Sequence, residues 1–310
     1  MKNFKYILAS VVLLASCTKY KVGSAESFTV ATDKSSYTTS DTVKFTFSGN
    51  PDYIIFYSGE AGKNYDYSKT TSATPDSVNL VFSTNTTASS ASTQPLTANR
   101  VSLFVSSDFT GIMDSVNIKK ATWRDITDSA TWATTTTTVS SGRLKVDQYR
   151  TSGKPVYFAY KYTSDTVKTT YLARKWAIAS FMLRSYFKGG GVNYLAAGSS
   201  GSNVPFLTAG FTSKSILDST NNWVFGNTSL TFNAPATGTL PNEDWSISRP
   251  FDFTIYTPDL GVGIKTPSTR VSKYSYRFTT PGTYTVTFVG KNQTSEDINQ
   301  VVRQMTIVVN

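Results

Sequence analysis

The chain has 310 residues and a net charge of +10; 16% of residues are charged, 14% are aromatic and none is histidine. Without imidazole there is no usual general base near neutral pH, no commonest metal ligand and no Ser-His or Cys-His nucleophile, which effectively excludes zinc catalysis. Carboxylate pairs, Ser-Lys chemistry and oxygen-ligated calcium survive that cut, while basic residues scattered singly along the chain argue against a nucleic-acid partner.

Lys2 and Lys5 open a short leader whose apolar stretch, Tyr6 to Leu14, is too short to span a bilayer as a helix. Leu14-Ala15-Ser16-Cys17 follows and resembles a bacterial lipobox, in which cleavage before the cysteine frees it for acylation. Cys17 is the only cysteine, so its commitment to lipid leaves no disulfide, and stability must come from packing and sheet hydrogen bonds. Removing residues 1–16 takes two lysines and no acid, which leaves the mature chain at +8. The likeness implies attachment to the outer membrane through an N-terminal acyl anchor, on the cell surface or the periplasmic face, with residues 17–25 as a lipidated tether.

After the tether, Phe28 to Ala31 alternates, and Val43-Lys44-Phe45-Thr46-Phe47 alternates cleanly with its apolar residues on one side. Ser48 to Asp52 is turn chemistry, Tyr53 to Tyr57 reads as a strand buried on both faces, and Val78 to Phe82 as another strand. Ser83 to Gln94 shows no period and reads as a loop or connector. Val101 to Val105, Ala121 to Trp123, Val156 to Tyr160 and Trp176 to Leu183 form a second set of strands; Gly189 to Asn203 reads as a surface loop, and Trp245 to Ser248 follows Pro-rich turns. At the C-terminus, Tyr274 to Phe278, the turn Thr280 to Thr283 and Tyr284 to Val289 predict an antiparallel hairpin, with Gln304 to Val309 as one more strand.

The segment Tyr276 to Thr287, with Thr280-Pro281-Gly282-Thr283-Tyr284 at its centre, resembles the closing strands of a PKD-type immunoglobulin-like domain. Its missing earlier strands match Phe28, Val43, Phe45, Phe47 and Ile54-Ile55-Phe56, which implies a discontinuous sandwich, a contiguous domain pair being the alternative. Between them, Ser106-Ser107-Asp108-Phe109, Ala121 to Thr127, Gly153 to Tyr160 and Trp176-Ala177-Ile178 are similar to the galactose-binding-like jelly rolls of cleaved adhesins. With the lipobox and Phe56-Tyr57-Ser58-Gly59-Glu60, the chain resembles the domain-of-unknown-function 5017 family of Bacteroidota lipoproteins, which supplies a place and a fold but no reaction. The expected organisation is a signal peptide at 1–16, the tether, an immunoglobulin-like first part at 26–98, a jelly-roll-like domain at 99–250 and an immunoglobulin-like second part at 251–310. The fold class is all-β.

Sugar binding needs flat aromatic faces beside amides and carboxylates, and Trp132, in the polar stretch Asp128 to Thr138, and Trp223, beside Asn222, are the candidates. Trp123, Trp176 and Trp245 sit among apolar residues and read as core. Asp108, Asp125 and Asp128 are candidate ligands of a structural calcium, with solvated turn carboxylates as the other reading. Glu60 and Asp66 could each pair with another acid for glycan hydrolysis, but no glycosidase motif surrounds them, no catalytic residue is assigned and the chain is expected not to be an enzyme. Six Asp-Ser/Thr tripeptides, among them Asp41-Thr42-Val43 and Asp218-Ser219-Thr220, match the O-glycosylation signal of exported proteins in these bacteria. The expected function is non-enzymatic binding of a glycan or partner protein at the envelope; the alternatives are an adhesive outer-membrane lipoprotein and a histidine-free hydrolase.

Overall fold

The computed structural model describes residues 23–25, 27–87, 99–165, 174–188, 190–196, 209–226, 229–233, 240–295 and 297–310. The leader and Cys17 lie outside the described residues. The chain divides into two compact units, one of Met1–Gly59 with Gly261–Asn310 and the other of Glu60–Leu260.

In the first unit, alternation in Val43–Ser48 becomes structure directly: Val43, Phe45 and Phe47 are buried and the residues between them exposed. That strand lies between Thr29–Thr32 and Lys273–Tyr276. A second sheet runs in the order Val262–Lys265, Tyr53–Tyr57, Gly282–Gln293, Ile298–Val309 and Ser36–Tyr37, the last pairing being parallel. The two sheets share one core in which Phe45 meets Phe288 edge-on at 4.9 Å and Phe56 at 5.9 Å. Such pairs add about 0.5–1.5 kcal/mol beyond their area burial. Tyr53–Tyr57 buries only one face: Ile54 and Phe56 are inside, and the residues between them are half-buried.

The expected hairpin of Tyr274–Phe278 with Tyr284–Val289 does not form. Lys273–Tyr276 pairs with Val43–Ser48, whereas Gly282–Gln293 makes its hairpin with Ile298–Val309. The connection through Thr280-Pro281 carries the chain from one sheet to the other, so Tyr274 meets Phe56 across the core at 4.9 Å. Phe278 and Tyr284 stack at 4.3 Å where the chain turns that corner.

The second unit is also a sandwich. One sheet has the order Thr212–Leu217, Asn242–Ile247, Tyr157–Ser164, Asn99–Ser106 and Arg124–Asp125. The facing sheet is built on Ser77–Thr87 and Lys175–Tyr186, extended by Ser229–Phe232 and Trp223–Phe225 on one side and by Val139–Ser140 and Leu144–Lys145 on the other. Val192–Ala196 pairs with the far end of Lys175–Tyr186. A bulge between Ala179 and Met182, with Ser180 at φ +54°, shifts the inward phase from Trp176 and Ile178 to Phe181 and Leu183. The architecture throughout is an all-β sandwich fold, with a single short α-helix, Ser115–Lys120, and a few 3-10 turns among the described residues.

Several boundaries differ from expectation for physical reasons. Ser77–Thr87 pairs along its length with Lys175–Tyr186, so it belongs to the second unit and the crossing falls at Gly59, not at 98. The return likewise falls at Leu260 instead of 250. Ser83 to Thr87 is strand because Thr84 and Thr86 continue the buried face of Val78, Leu80 and Phe82; the rest of that stretch lies outside the described residues. Their hydroxyls find backbone partners: Thr84 Oγ1 accepts from the Ala133 N–H, and Thr86 Oγ1 donates to the Lys175 carbonyl. Part of the expected loop 189–203 is the strand Val192–Ala196. Ala121 to Trp123 is no strand but the exit of the helix, which is capped by Asp114 accepting from the Asn117 N–H at 2.7 Å.

Candidate functional site

In the second unit, the 3-10 turn Thr127–Ser129 and the strand Asn99–Ser106 place Asp128 and Arg100 side by side, with Arg100 Nη2 3.3 Å from Asp128 Oδ1. Asp128 is almost fully exposed (98%) and Arg100 partly so, which leaves both free to exchange this contact for a ligand's hydroxyls; exposed pairs of this kind contribute little stability. Beside them Trp132 is half-buried. Its indole N–H donates to the Thr127 carbonyl at 2.9 Å, and its ring packs 5.3 Å from Phe82 and edge-on to Trp176 at 6.0 Å. A cleft of about 180 Å³ opens among Arg100, Asp128, Trp132, Thr134 and Trp176. It combines an indole held rigid from behind, a carboxylate and guanidinium at the rim and a threonine hydroxyl, groups able to stack on an apolar face and to hydrogen-bond hydroxyls.

Trp223 does not share that cleft. It lies in the strand Trp223–Phe225, is 3% exposed, and donates its indole N–H to the Asp244 carbonyl at 3.2 Å. Polar neighbours suggested exposure, but Trp223 stands opposite Phe232, which stands opposite Trp176, so all three belong to one inward row of rings. Trp176 is the end of this row that lines the cleft, packed against Trp132, and Trp223 is its buried far end. Asn222 is exposed, and its amide reaches the Ser219 carbonyl at 3.5 Å.

The structure does not bring Asp108, Asp125 and Asp128 together, and among the described residues no group of three or more His, Cys, Asp or Glu side chains is gathered for a metal. Two of these acids serve their own turns and the third pairs with Arg100. Asp108 accepts from the Ser106 hydroxyl and the Thr122 N–H, both at 2.8 Å. Burial raises its carboxyl, but the bonds from Thr122 and Ser106 outweigh this and hold it below the usual range. Asp125 accepts from the Thr127 N–H and hydroxyl. Glu60 is half-buried at the unit's first turn, and Asp66 is exposed in the 3-10 turn Tyr65–Tyr67.

Two features escaped sequence reasoning. Arg124, Tyr149 and Lys154 line a polar cleft of about 350 Å³, with the Arg124 guanidinium 5.2 Å over the Tyr149 ring. Their separation in the chain gave no signal. Asp244 is fully buried, and burial pushes its carboxyl up to about 7; the alternation of Asn242, Asp244 and Ser246 through Asn242–Ile247 was the signal that could have found it.

Fold and site together define an all-β sandwich protein with a largely apolar, tryptophan-lined cleft that has a charged pair at its rim. The family model described as Domain of unknown function (DUF5017) matches residues 16–202, more than half of the chain, and the chain belongs to that family. No curated protein and no solved structure matches it.

Proposed function

We propose that this protein is a lipid-anchored envelope protein of the Bacteroidota type, acylated at Cys17 in the outer membrane, that binds a glycan as an accessory of surface polysaccharide capture without transforming it. The observation that carries the reading is the Trp132 cleft, where a half-buried indole lies beside the exposed Asp128–Arg100 pair. Kinship of the first unit with PKD/immunoglobulin-like domains and of the second with galactose-binding-like jelly rolls belongs to the same reading, in which a rigid sandwich positions loop residues such as Trp132 and Asp128 for binding. The test is a broad glycan array probed with the mature chain. The expected result is selective capture of at least one glycan, lost in Trp132→Ala; capture of none overturns the glycan reading.

A second reading, an adhesive lipoprotein that docks on an outer-membrane protein, is favoured by Val116, 71% exposed in the short helix, and Ile112, 56% exposed just before it. Co-purification of a stable partner from detergent-solubilised membranes supports it, and recovery as a lone monomer counts against it.

A further inference from the structure

Antiparallel pairing aligns three successive pairs across the inner face of one sheet of the second unit. Asn242 stands opposite Ser164, Asp244 opposite Tyr162, and Ser246 opposite Tyr160. Alternation turns all six toward the core shared by Tyr160, Tyr162, Phe232 and Trp223, yet the members from Asn242–Ile247 are polar. Asn242, Asp244 and Ser246 are 2%, 0% and 0% exposed. Among the described residues, both Asp244 carboxylate oxygens, both ends of the Asn242 amide and the hydroxyls of Ser164, Ser246 and Tyr160 lack a hydrogen-bond partner. Native interiors satisfy nearly all such groups, so a row of them signals a missing occupant.

The surroundings specify its charge. Ser215, beside Asp244 in the next strand, directs its hydroxyl to the Leu217 and Asp218 carbonyls at 3.1 and 2.9 Å. Trp223 covers the row but bonds the Asp244 backbone, and Ser215, whose proximity lowers the Asp244 carboxyl, spends its hydroxyl on those two carbonyls. The neighbouring charges that act on Asp244 are acidic, Asp218 and Glu243, and Lys161 is engaged with Glu243 at 3.5 Å on the other face of the sheet. A buried carboxylate with acidic neighbours and no basic one is short of a positive charge.

We propose that this row is an internal site for a hard, oxygen-liganded cation of the calcium class, held by the Asp244 carboxylate, the Asn242 amide oxygen and the Ser164 hydroxyl. Ser246 and Tyr160 then bond waters on the ion. The donors are oxygens with no thiolate or imidazole, which favours calcium over transition metals. Calcium also accepts neutral oxygens in irregular geometry, whereas magnesium demands a near-ideal octahedron. One carboxylate gives modest affinity, on the order of 10⁻⁴–10⁻³ M as in extracellular modules. Protonating Asp244 neutralises the charge but leaves Asn242, Ser164 and Ser246 unsatisfied, which a hydrated cation does not. The site is separate from Asp108, Asp125 and Asp128 and independent of the glycan reading.

The test uses chelator-stripped full-length mature protein. Calcium at about 5 mM is expected to raise the Tm of the second unit by about 3–6 °C, with magnesium at equal ionic strength giving less than half of that. Terbium, as a calcium surrogate, is expected to show emission sensitised by Trp223, Tyr160 and Tyr162 that calcium displaces. Both signals disappear in the isosteric Asp244→Asn and persist in Asp108→Asn. A wild-type protein with neither signal, equal shifts with both ions, or signals that survive Asp244→Asn overturns the proposal. Because the wild-type result already decides, a variant that fails to fold does not rescue it.

Discussion

Replacing Trp132 separates packing from recognition. The ring is half-buried against Phe82 and Trp176, and its N–H holds the Thr127 carbonyl. Full truncation of a core aromatic costs about 3–5 kcal/mol, so for this half-buried ring Trp132→Ala is expected to cost about 2–3 kcal/mol. Trp132→Phe keeps most of the ring contact and loses one hydrogen bond, about 1 kcal/mol. At about 2–4 °C per kcal/mol for a unit of this size, the Tm should fall by about 5–10 °C in the first variant and 2–4 °C in the second. Binding should divide differently. Truncating an aromatic hot spot removes about 2 kcal/mol or more, about thirtyfold in Kd, whereas Phe keeps an aromatic face and should lose less than about fivefold. Differential scanning fluorimetry and isothermal titration calorimetry on the same preparations, with a glycan captured on the array, measure both. A folded Trp132→Ala that binds like wild type refutes the role of this ring; an unchanged Tm refutes its packing.

Other consequences follow from the same geometry. Trp223→Ala removes a fully buried ring and should destabilise the second unit by about 3–5 kcal/mol in urea unfolding, more than Trp132→Ala. Gly59 has φ +79°, and a Cβ there would lie 2.6 Å from the Thr285 carbonyl oxygen; Gly59→Ala should lower first-unit stability by about 2–4 kcal/mol, whereas Gly153→Ala, at φ +70° in open space, should lower second-unit stability by only about 1–2 kcal/mol. Because the Asp108 carboxyl is held below its ordinary value, its stabilisation is complete above the unfolded value of about 3.9 and is lost as pH falls through the lower folded one. Acid titration of stability should therefore show a shallower loss below about pH 4 in Asp108→Asn than in wild type; an identical acid limb refutes that reading. Glycopeptide mass spectrometry of the native protein should find sugar on the exposed Thr42 and Ser219 and none on Ser77, which is half-buried in Ser77–Thr87.

Strand content was legible wherever one face is buried. Val43–Ser48 and Val78 to Phe82 carry the two-residue period because one side meets a core, whereas Ser83 to Thr87 continues the same strand with threonines on the buried face and shows no apolar period. Pairing was not legible. Thr280-Pro281-Gly282-Thr283 reads as a hairpin turn from local chemistry alone, and only contacts between remote rings, such as Tyr274 with Phe56, send its two arms to different sheets. The same remoteness hid Trp223: its polar neighbours describe the turn before it, while its burial depends on Phe232 and Trp176. Trp132 was legible as a loop aromatic because its neighbours are polar on both sides, but the cleft it lines depends on Arg100 and Trp176, which no spacing links to it. Asp108 and Asp125 were visible as acids, but their hydrogen bonds to nearby backbone were not, and those bonds occupy them in turns.

The most direct measurement is the response of the five tryptophan indole N–H signals to an array-selected glycan, followed by ¹H–¹⁵N NMR. Binding at the proposed cleft should move the Trp132 signal, with a smaller change at its neighbour Trp176, and leave that of Trp223 in place. Saturable binding that leaves the Trp132 signal unmoved, or that moves Trp223 instead, contradicts the account.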